Sequence, residues 1–321
     1  MSSIPSISRN MPGAYTVAGG VKAGHNSGSR KLSLLLLSRG GRIFNPGYIQ
    51  ELGKFGFDDI LCIEGPKAPR DVEVLTRRHP NVRFLILQQE YTIGEQINLG
   101  IGESLGEYVF VMWNDMGLLS GGLSSLVIER LFQRNYLCTV PILQNTRGEV
   151  LPTLQAPVFN RKYLKMLSLS PSRDGRLTLF PYDFAGIYNR AKFTQAGGYD
   201  PEIKTPYWQK MDFGFRAFMW GEKIKCETTL RGKYLGDPPV EDTSPDDFYH
   251  RFYLKNLTVR YNGDAGYIPN GRFWSYFFKS GKGYLKARKL FRENQEIVKL
   301  HQFRYKYDAT SITDLWEEEE L

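Results

Sequence analysis

Short continuous apolar runs recur along the first two thirds of the chain, each followed by a stretch with helical spacing. Residues 31–38 (KLSLLLLS) read as a buried strand, and the polar Arg39-Gly40-Gly41-Arg42 after it as a loop. Spaced apolar residues over 46–55 predict a helix with Asn45 as its N-cap. The alternation continues with a strand at 59–63 (DILCI) ending in the turn Glu64-Gly65-Pro66, a helix at 70–79 and a strand at 82–87. A helix at 93–104 and a strand at 108–112 (YVFVM) follow, the strand ending in Trp113-Asn114-Asp115. Beyond it the pattern predicts a helix at 123–132, a strand at 136–143, and a helix at 158–167 after the loop with Pro152 and Pro157. A strand at 184–188, glycine-stopped helices at 190–196 and 212–220, and a strand at 224–229 complete the series. Residues 236–247 form an acidic, proline-containing loop. From Tyr249 onward the chain is helical, basic and aromatic, and it closes on the acidic tail 317–320.

Strand–helix alternation with short connections predicts an α/β fold: a mostly parallel sheet flanked by helices. In such sheets ligands bind beyond the carboxyl ends of the strands. That rule singles out three strand ends: the loop from Ser38 to Arg42, the turn at Glu64, and Asn114-Asp115. The domain division that follows is a flexible arm over 1–29, an α/β domain over 30–248 and a helical extension over 249–321.

Composition narrows the setting. Hydrophobic residues at 41% and charged residues at 24% give a 321-residue chain enough apolar material for a large core without disulfide staples. The three cysteines are widely spaced, and neither they nor the four histidines fall into zinc-ligand spacing, which fits a reducing cytosol. No apolar run reaches the ~20 residues needed to span a bilayer, and the Ser/Gly/Asn-rich start lacks the apolar segment of a secretory leader. The expected location is therefore cytoplasmic, with a peripheral membrane position left open. The net charge of +8, concentrated between Arg251 and Lys306, points to an anionic partner.

Several stretches, in order, resemble family 2 glycosyltransferases. Residues 92–101 (TIGEQINLGI) are similar to that family's G-x-x-x-N-x-G-I helix, and Gly106-Glu107-Tyr108 to the lead into its D-x-D motif. Phe184-Ala185-Gly186 through Gly197-Gly198-Tyr199-Asp200 resembles its acceptor-side strand and G-G-F-D turn, and residues 212–216 (DFGFR) the end of its E-D-x-D-L-x-x-R helix. The resemblance covers roughly 32–226 and implies a GT-A-like sheet, a nucleotide-sugar donor, a UDP-sugar in the first instance, and inverting transfer to a hydroxyl of a glycan or lipid-linked glycan. It also implies Mn2+ or Mg2+ as cofactor. The chain departs from the pattern at three places: Glu64 replaces the usual aspartate after the second strand, and the other two bear on catalysis. Trp113-Asn114-Asp115 keeps only the second carboxylate of D-x-D, and Gln209-Lys210 replaces the acidic pair that holds the catalytic base. A protonated lysine cannot take the acceptor's proton.

Each candidate residue carries a plainer alternative. Asp115 suits a divalent cation shared with diphosphate oxygens, or is a loop carboxylate capping a helix. Glu64 reaches a ribose or base, or is a solvated turn residue. Arg39 and Arg42 offer bidentate contacts to phosphate, with Gly40 and Gly41 letting backbone approach, or are surface arginines. The resemblance sets Gly94 and Asn98 beside the nucleotide; close helix packing explains them equally. Asp212 is the remaining acid near the base position, or the N-cap of the helix at 212–220 paired with Arg216. Asp237, Glu241 and Asp242 lie where the family often has a further metal ligand, or in an ordinary solvated loop. Residues 273–291 (FWSYFFKSGKGYLKARKLF) read as a helix docking on an anionic membrane, or as one packing its aromatic face on the domain. No nucleic-acid module accompanies the charge, so no nucleic-acid partner is expected. The departures at Trp113 and Lys210 also support a second function, a catalytically inactive nucleotide- or glycan-binding scaffold.

Overall fold

A computed structural model describes residues 15–20, 31–39, 46–66, 72–119, 123–160, 163–312 and 316. In chain order the strands are β1 (Tyr15–Gly19), β2 (Leu32–Leu37), β3 (Asp59–Glu64), β4 (Val82–Leu87), β5 (Tyr108–Trp113), β6 (Met116–Leu118), β7 (Cys138–Gln144), β8 (Leu154–Asn160), β9 (Tyr163–Leu169), β10 (Gly186–Asn189) and β11 (Ile224–Tyr234). The helices are α1 (Pro46–Leu52), α2 (Val72–Arg78), α3 (Ile93–Glu103), α4 (Ser125–Arg134), α5 (Arg190–Gln195), α6 (Pro206–Met219), α7 (Asp247–Phe252), α8 (Arg272–Ser280) and α9 (Tyr284–Leu300).

Nine strands form one sheet in the order β1-β4-β3-β2-β5-β10-β7-β11-β6. β4, β3, β2 and β5 run parallel as neighbours, and β7 and β11 pair parallel beyond them. β10 is inserted antiparallel between β5 and β7. β2, β3 and β5 are buried along their whole length. Parallel strands need crossover connections, helices then cover both faces, and the sequence reads as unbroken apolar runs instead of alternation. α3 begins with a capping box: Thr92 Oγ1 accepts from the Glu95 N–H, and the Thr92 N–H donates to Glu95 Oε2 at 2.9 Å.

Three expectations need correction. Residues 158–167 are not helical; β8 and β9 pair as an antiparallel hairpin through Leu154↔Leu169 to Asn160↔Tyr163. Leu164 and Leu167 are three apart, which suits a helix, but Leu164 and Met166 are two apart and pack together on the core, which is the strand period. The helix expected at 212–220 starts six residues earlier, with Pro206 in its first turn after Thr205. Asp212 is therefore a mid-helix residue and not an N-cap. Within the expected arm, Tyr15–Gly19 forms an edge strand antiparallel to β4. Asn45 and the tail 317–320 lie outside the described residues. Among the described residues no helix is long and apolar enough to cross a membrane.

A buried ionic cluster fastens the C-terminal extension to the sheet domain. A single π-helical turn, Tyr253–Leu257, follows α7 and aims Lys255 and Asn256 inward. Lys255 Nζ lies 2.5 Å from Asp200 Oδ2 and 2.9 Å from Asp212 Oδ1; Asn256 Nδ2 donates to Asp212 Oδ1 at 2.8 Å. Arg251 Nε reaches Asp200 Oδ2 at 2.9 Å, and Arg216 Nη2 reaches Asp212 Oδ2 at 3.3 Å. Both carboxylates are fully buried. Burial works to raise the Asp200 carboxyl, but Lys255 and Arg251 win and hold it well below the usual carboxylate range. Its contribution to stability is therefore present above about pH 4, the ordinary carboxylate value, and is lost as pH falls toward its depressed native value. Asp200→Asn strands two cations and should cost about 3–5 kcal/mol at pH 7 in denaturant unfolding; a cost under about 1 kcal/mol would show the cluster to be solvated.

Candidate active site

Strand register assembles the site. β2 pairs with β3 through Leu36↔Cys62 and with β5 through Leu37↔Trp113. The next residues of β2, Ser38 and Arg39, thus leave the sheet between Glu64 and Asn114-Asp115. Asn114 fixes that exit. Its N–H donates to the Leu37 carbonyl at 2.9 Å, its Oδ1 accepts the Arg39 N–H at 3.0 Å, and its Nδ2 lies 3.4 Å from Ser38 Oγ. Three of the strand ends selected from sequence are therefore adjacent, with Ser38, Arg39, Asn114 and Asp115 in direct linkage and Glu64 next to them by register.

Arg39 is the centre of this edge. Its guanidinium lies over the Trp113 ring, 4.2 Å from the centroid. Nη2 reaches Asp183 Oδ2 at 2.5 Å and Nη1 lies 3.4 Å from Asp115 Oδ2. Asp183 comes from the segment before β10, and its own partners are as specific. Tyr234 OH donates to Asp183 Oδ2 at 2.9 Å, and Trp113 Nε1 donates to the Asp183 carbonyl at 2.8 Å. Asp183 and Phe184 both adopt left-handed backbone, with φ of 50° and 62°, a conformation costly for residues with a Cβ and held only where surroundings impose it. Trp113 thus contacts both the Arg39 guanidinium, through its ring, and the Asp183 backbone, through Nε1. Burial pushes the Asp183 carboxyl above its ordinary range even though Arg39 opposes the shift.

Lys210 flanks the same group. It is 1% exposed, with its ammonium 5.2 Å from the ring centroids of both Phe180 and Phe184. Burial pulls its pKa from 10.5 down to about 7, with Asp183 opposing and Arg39 adding to the fall. Glu241, from the loop after β11, is in ion-pair contact with Lys210 and favours its charged form. Tyr182 OH donates to the Pro239 carbonyl at 3.2 Å and ties that loop down. Beside Asp115 opens a groove of about 710 Å³ lined by Tyr48, Glu51, Lys54, Leu118, Lys233 and Leu235; the Leu235 N–H donates to the Asp115 carbonyl at 2.8 Å.

Asp115 bears on the cation question. Its Oδ1 is buried and has no hydrogen-bond partner among the described residues, while Oδ2 faces Arg39. Among the described residues no group of three or more His, Cys, Asp or Glu could hold a metal ion. The residues fit a divalent cation in a reduced form, with one protein oxygen and the remaining coordination left to diphosphate and water.

Other candidates settle elsewhere. Gly94 and Asn98 join α3 to the turn before α6. Asn98 Nδ2 donates to the Tyr199 carbonyl at 2.7 Å, and Asn98 Oδ1 accepts the Tyr199 N–H at 2.8 Å. The Gly94 N–H donates to Gln209 Oε1, and a Cβ at Gly94 would lie 2.7 Å from that of Tyr199. Both residues serve packing. Asp212 does not face Arg39: it lies two residues along α6 from Lys210, about 200° around the helix, with both oxygens engaged as described above. An acid with no exposed surface and three bonded donors is not open to an acceptor, so this geometry does not support Asp212 as base. Arg42, with Gly40 and Gly41, lies outside the described residues. Sequence reading missed Asp183 and Tyr234. The available signal was a lone carboxylate in the apolar stretch LFPYDFAGIY, at 179–188.

Neither a protein-family model nor a curated protein sequence matches the chain. Solved structures do. GalNAc-T7 with UDP, GalNAc and Mn2+ is 12% identical, with a TM-score of 0.54, over 85% of this chain and 55% of that one. The 1–349 segment of S. aureus TarS is 10% identical, with a TM-score of 0.49, over 84% of this chain and 71% of that one. Its complex with UDP-GlcNAc is 12% identical, with a TM-score of 0.48, over 84% and 72%. The chain spans about half the length of the GalNAc-T7 chain. It has the GT-A type of glycosyltransferase fold: mixed α/β, with a large, mostly parallel central sheet flanked by helices.

Glu64 gives the site edge a measurable signature. Burial raises its carboxyl from 4.5 to about 7. Below about pH 4.5 folded and unfolded forms are both protonated; above about pH 7 both are ionised and the native state carries the full cost. Stability should therefore fall by up to about 3 kcal/mol between those limits. Glu64→Gln should flatten that part of the urea-unfolding profile; an unchanged profile would put Glu64 in water.

Proposed function

We propose that this chain transfers a sugar from a nucleotide-sugar donor, a UDP-sugar in the first instance, to an acceptor hydroxyl of a glycan or lipid-linked glycan, with inversion. The observation that carries the reading is the Arg39 guanidinium held between Asp115 and Asp183 at the carboxyl edge of the parallel strands, beside one Asp115 oxygen that has no hydrogen-bond partner among the described residues. The GT-A fold shared with GalNAc-T7 supports it, and UDP and Mn2+ in that protein's complex guide the choice of donor and cation.

In this account Arg39 turns toward the donor's diphosphate, where its planar fork bonds two oxygens at once. Trp113 stacks on the guanidinium and limits its orientations. A divalent cation held by Asp115 Oδ1 would add charge that stabilises the departing diphosphate. Asn114 and Ser38 fix the backbone on which Arg39 turns, and Glu64 faces the ribose or base.

Glu241, and not Asp212, is the acid we assign as base. It stands against Lys210, at the position where the resemblance expects a carboxylate. Its side chain is 24% exposed, so an acceptor can reach it. The acceptor O–H gives its proton to the Glu241 carboxylate while its oxygen bonds the anomeric carbon. The anomeric C–O bond to the diphosphate breaks, and the electron pair leaves with the nucleoside diphosphate. Lys210 positions Glu241 through their ion-pair contact.

The test is turnover. UDP release from a panel of UDP-sugars with Mn2+ should be detectable, and Asp115→Asn should lower it about 10²–10³-fold. Glu241→Gln should lower kcat about 10²–10⁴-fold with UDP affinity unchanged. UDP binding with no turnover on any donor or acceptor would make the chain a binding protein. Full activity in Glu241→Gln would remove that residue as base.

A further inference from the structure

The α8–α9 hairpin is built with two unlike sides. Its inner side is a ring cluster. Phe273 and Tyr276 lie 5.5 and 6.5 Å from Phe291, and Tyr276 and Ala287 are buried. Its outer side leaves three large apolar residues in water: Trp274 at 55% exposure, Phe278 at 78% and Leu285 at 81%. Trp274 and Phe278 stack on each other at 6.3 Å, one helical turn apart, so they form a continuous patch. Gly281, with φ of 61°, turns the chain between the helices, and Leu285 follows in the first turn of α9.

The charge around that patch has one sign. From Arg272 to Arg292 there are seven basic residues and no acidic one. Lys282 is tied to Asp247 of α7 at 2.8 Å, which secures the hairpin to the body of the protein; Tyr276 adds a ring contact with His250 at 6.0 Å. Lys279, Lys286, Arg288 and Lys289 are exposed around the apolar tip. Apolar residues inside a basic rim match the boundary of an anionic bilayer, with acyl chains for the rings and phosphate above them.

We propose that this hairpin tip docks the protein on an anionic phospholipid surface, with Trp274, Phe278 and Leu285 inserted and the surrounding lysines and arginines on lipid phosphates. An aliphatic Leu285 at the tip, and rings stacked on each other instead of spaced to receive bases, favour lipid over a single-stranded nucleic acid. The docking stands on the extension alone. Its consequence for substrate, an acceptor carried on that lipid surface near the Glu241 loop that leads into α7, rests on the sugar-transfer reading.

The experiment is co-sedimentation of the full chain with phosphatidylcholine vesicles, with and without phosphatidylglycerol. Binding should require the anionic lipid, weaken with salt, and shift Trp fluorescence to the blue. The Trp274→Ala/Phe278→Ala/Leu285→Ala variant, checked for native circular dichroism, should lose at least about tenfold in partitioning. Lys279→Glu/Lys286→Glu should do the same while leaving UDP affinity untouched. Absence of binding to anionic vesicles would overturn the proposal. So would retention by the apolar triple variant, or tighter binding to a polynucleotide than to vesicles. Because the readout uses no donor, failure of sugar transfer would not alter it.

Discussion

One guanidinium, largely out of water, is held between two carboxylates that arrive from different parts of the chain. A buried carboxylate is costly unless paired and hydrogen-bonded, and Asp183 is nine-tenths buried. Each surrounding feature meets that requirement. The β2–β5 register delivers Arg39 beside Asp115, and Asn114 anchors the exit. The left-handed backbone at Asp183 turns its carboxylate back toward Arg39, and β11 supplies the Tyr234 hydroxyl. Trp113 does two things, bracing the guanidinium with its ring and the Asp183 carbonyl with its Nε1.

Acidic residues in this chain divide by what surrounds them. Asp200 and Asp212 are enclosed by Arg216, Arg251, Lys255 and Asn256, and their work is to join the C-terminal extension to the sheet domain. Asp115 keeps one oxygen without a partner among the described residues, and Glu241 keeps a quarter of its side chain in solvent. Only the second pair leaves room for a ligand. The same α6 helix carries both kinds of contact. Lys210 looks toward Glu241 and the aromatic rings, and Asp212 looks away from them into the ionic cluster. A two-residue step along a helix is enough to separate chemistry from architecture.

The sheet was legible because parallel strands buried on both faces announce themselves as unbroken apolar runs such as LSLLLL and YVFVM. The strand-end rule then selected Ser38, Arg39, Glu64, Asn114 and Asp115, which the strand register brings to one edge of the sheet. The rest depended on distance in the fold. Asp183 lies about seventy positions beyond Asp115, and nothing local marks it as a partner of Arg39. Gly94 and Asn98 look like ligand-site residues by motif, yet their polar atoms are consumed by Gln209 and Tyr199. The β8–β9 hairpin was misread because a short amphipathic segment satisfies helical and strand spacing together, and only the pairing partner decides. Asp212 was misplaced because the natural start signal, Thr205-Pro206, lies before an aromatic stretch that does not look like a first turn.

If a diphosphate binds at the Arg39–Asp115–Asp183 edge, a crystal structure of the chain with UDP and Mn2+ will show it. The expected result is diphosphate oxygens on the Arg39 guanidinium, the cation on Asp115 Oδ1, and the nucleoside extending toward Glu64. UDP ordered elsewhere, with Arg39 still locked between the two carboxylates, would contradict it.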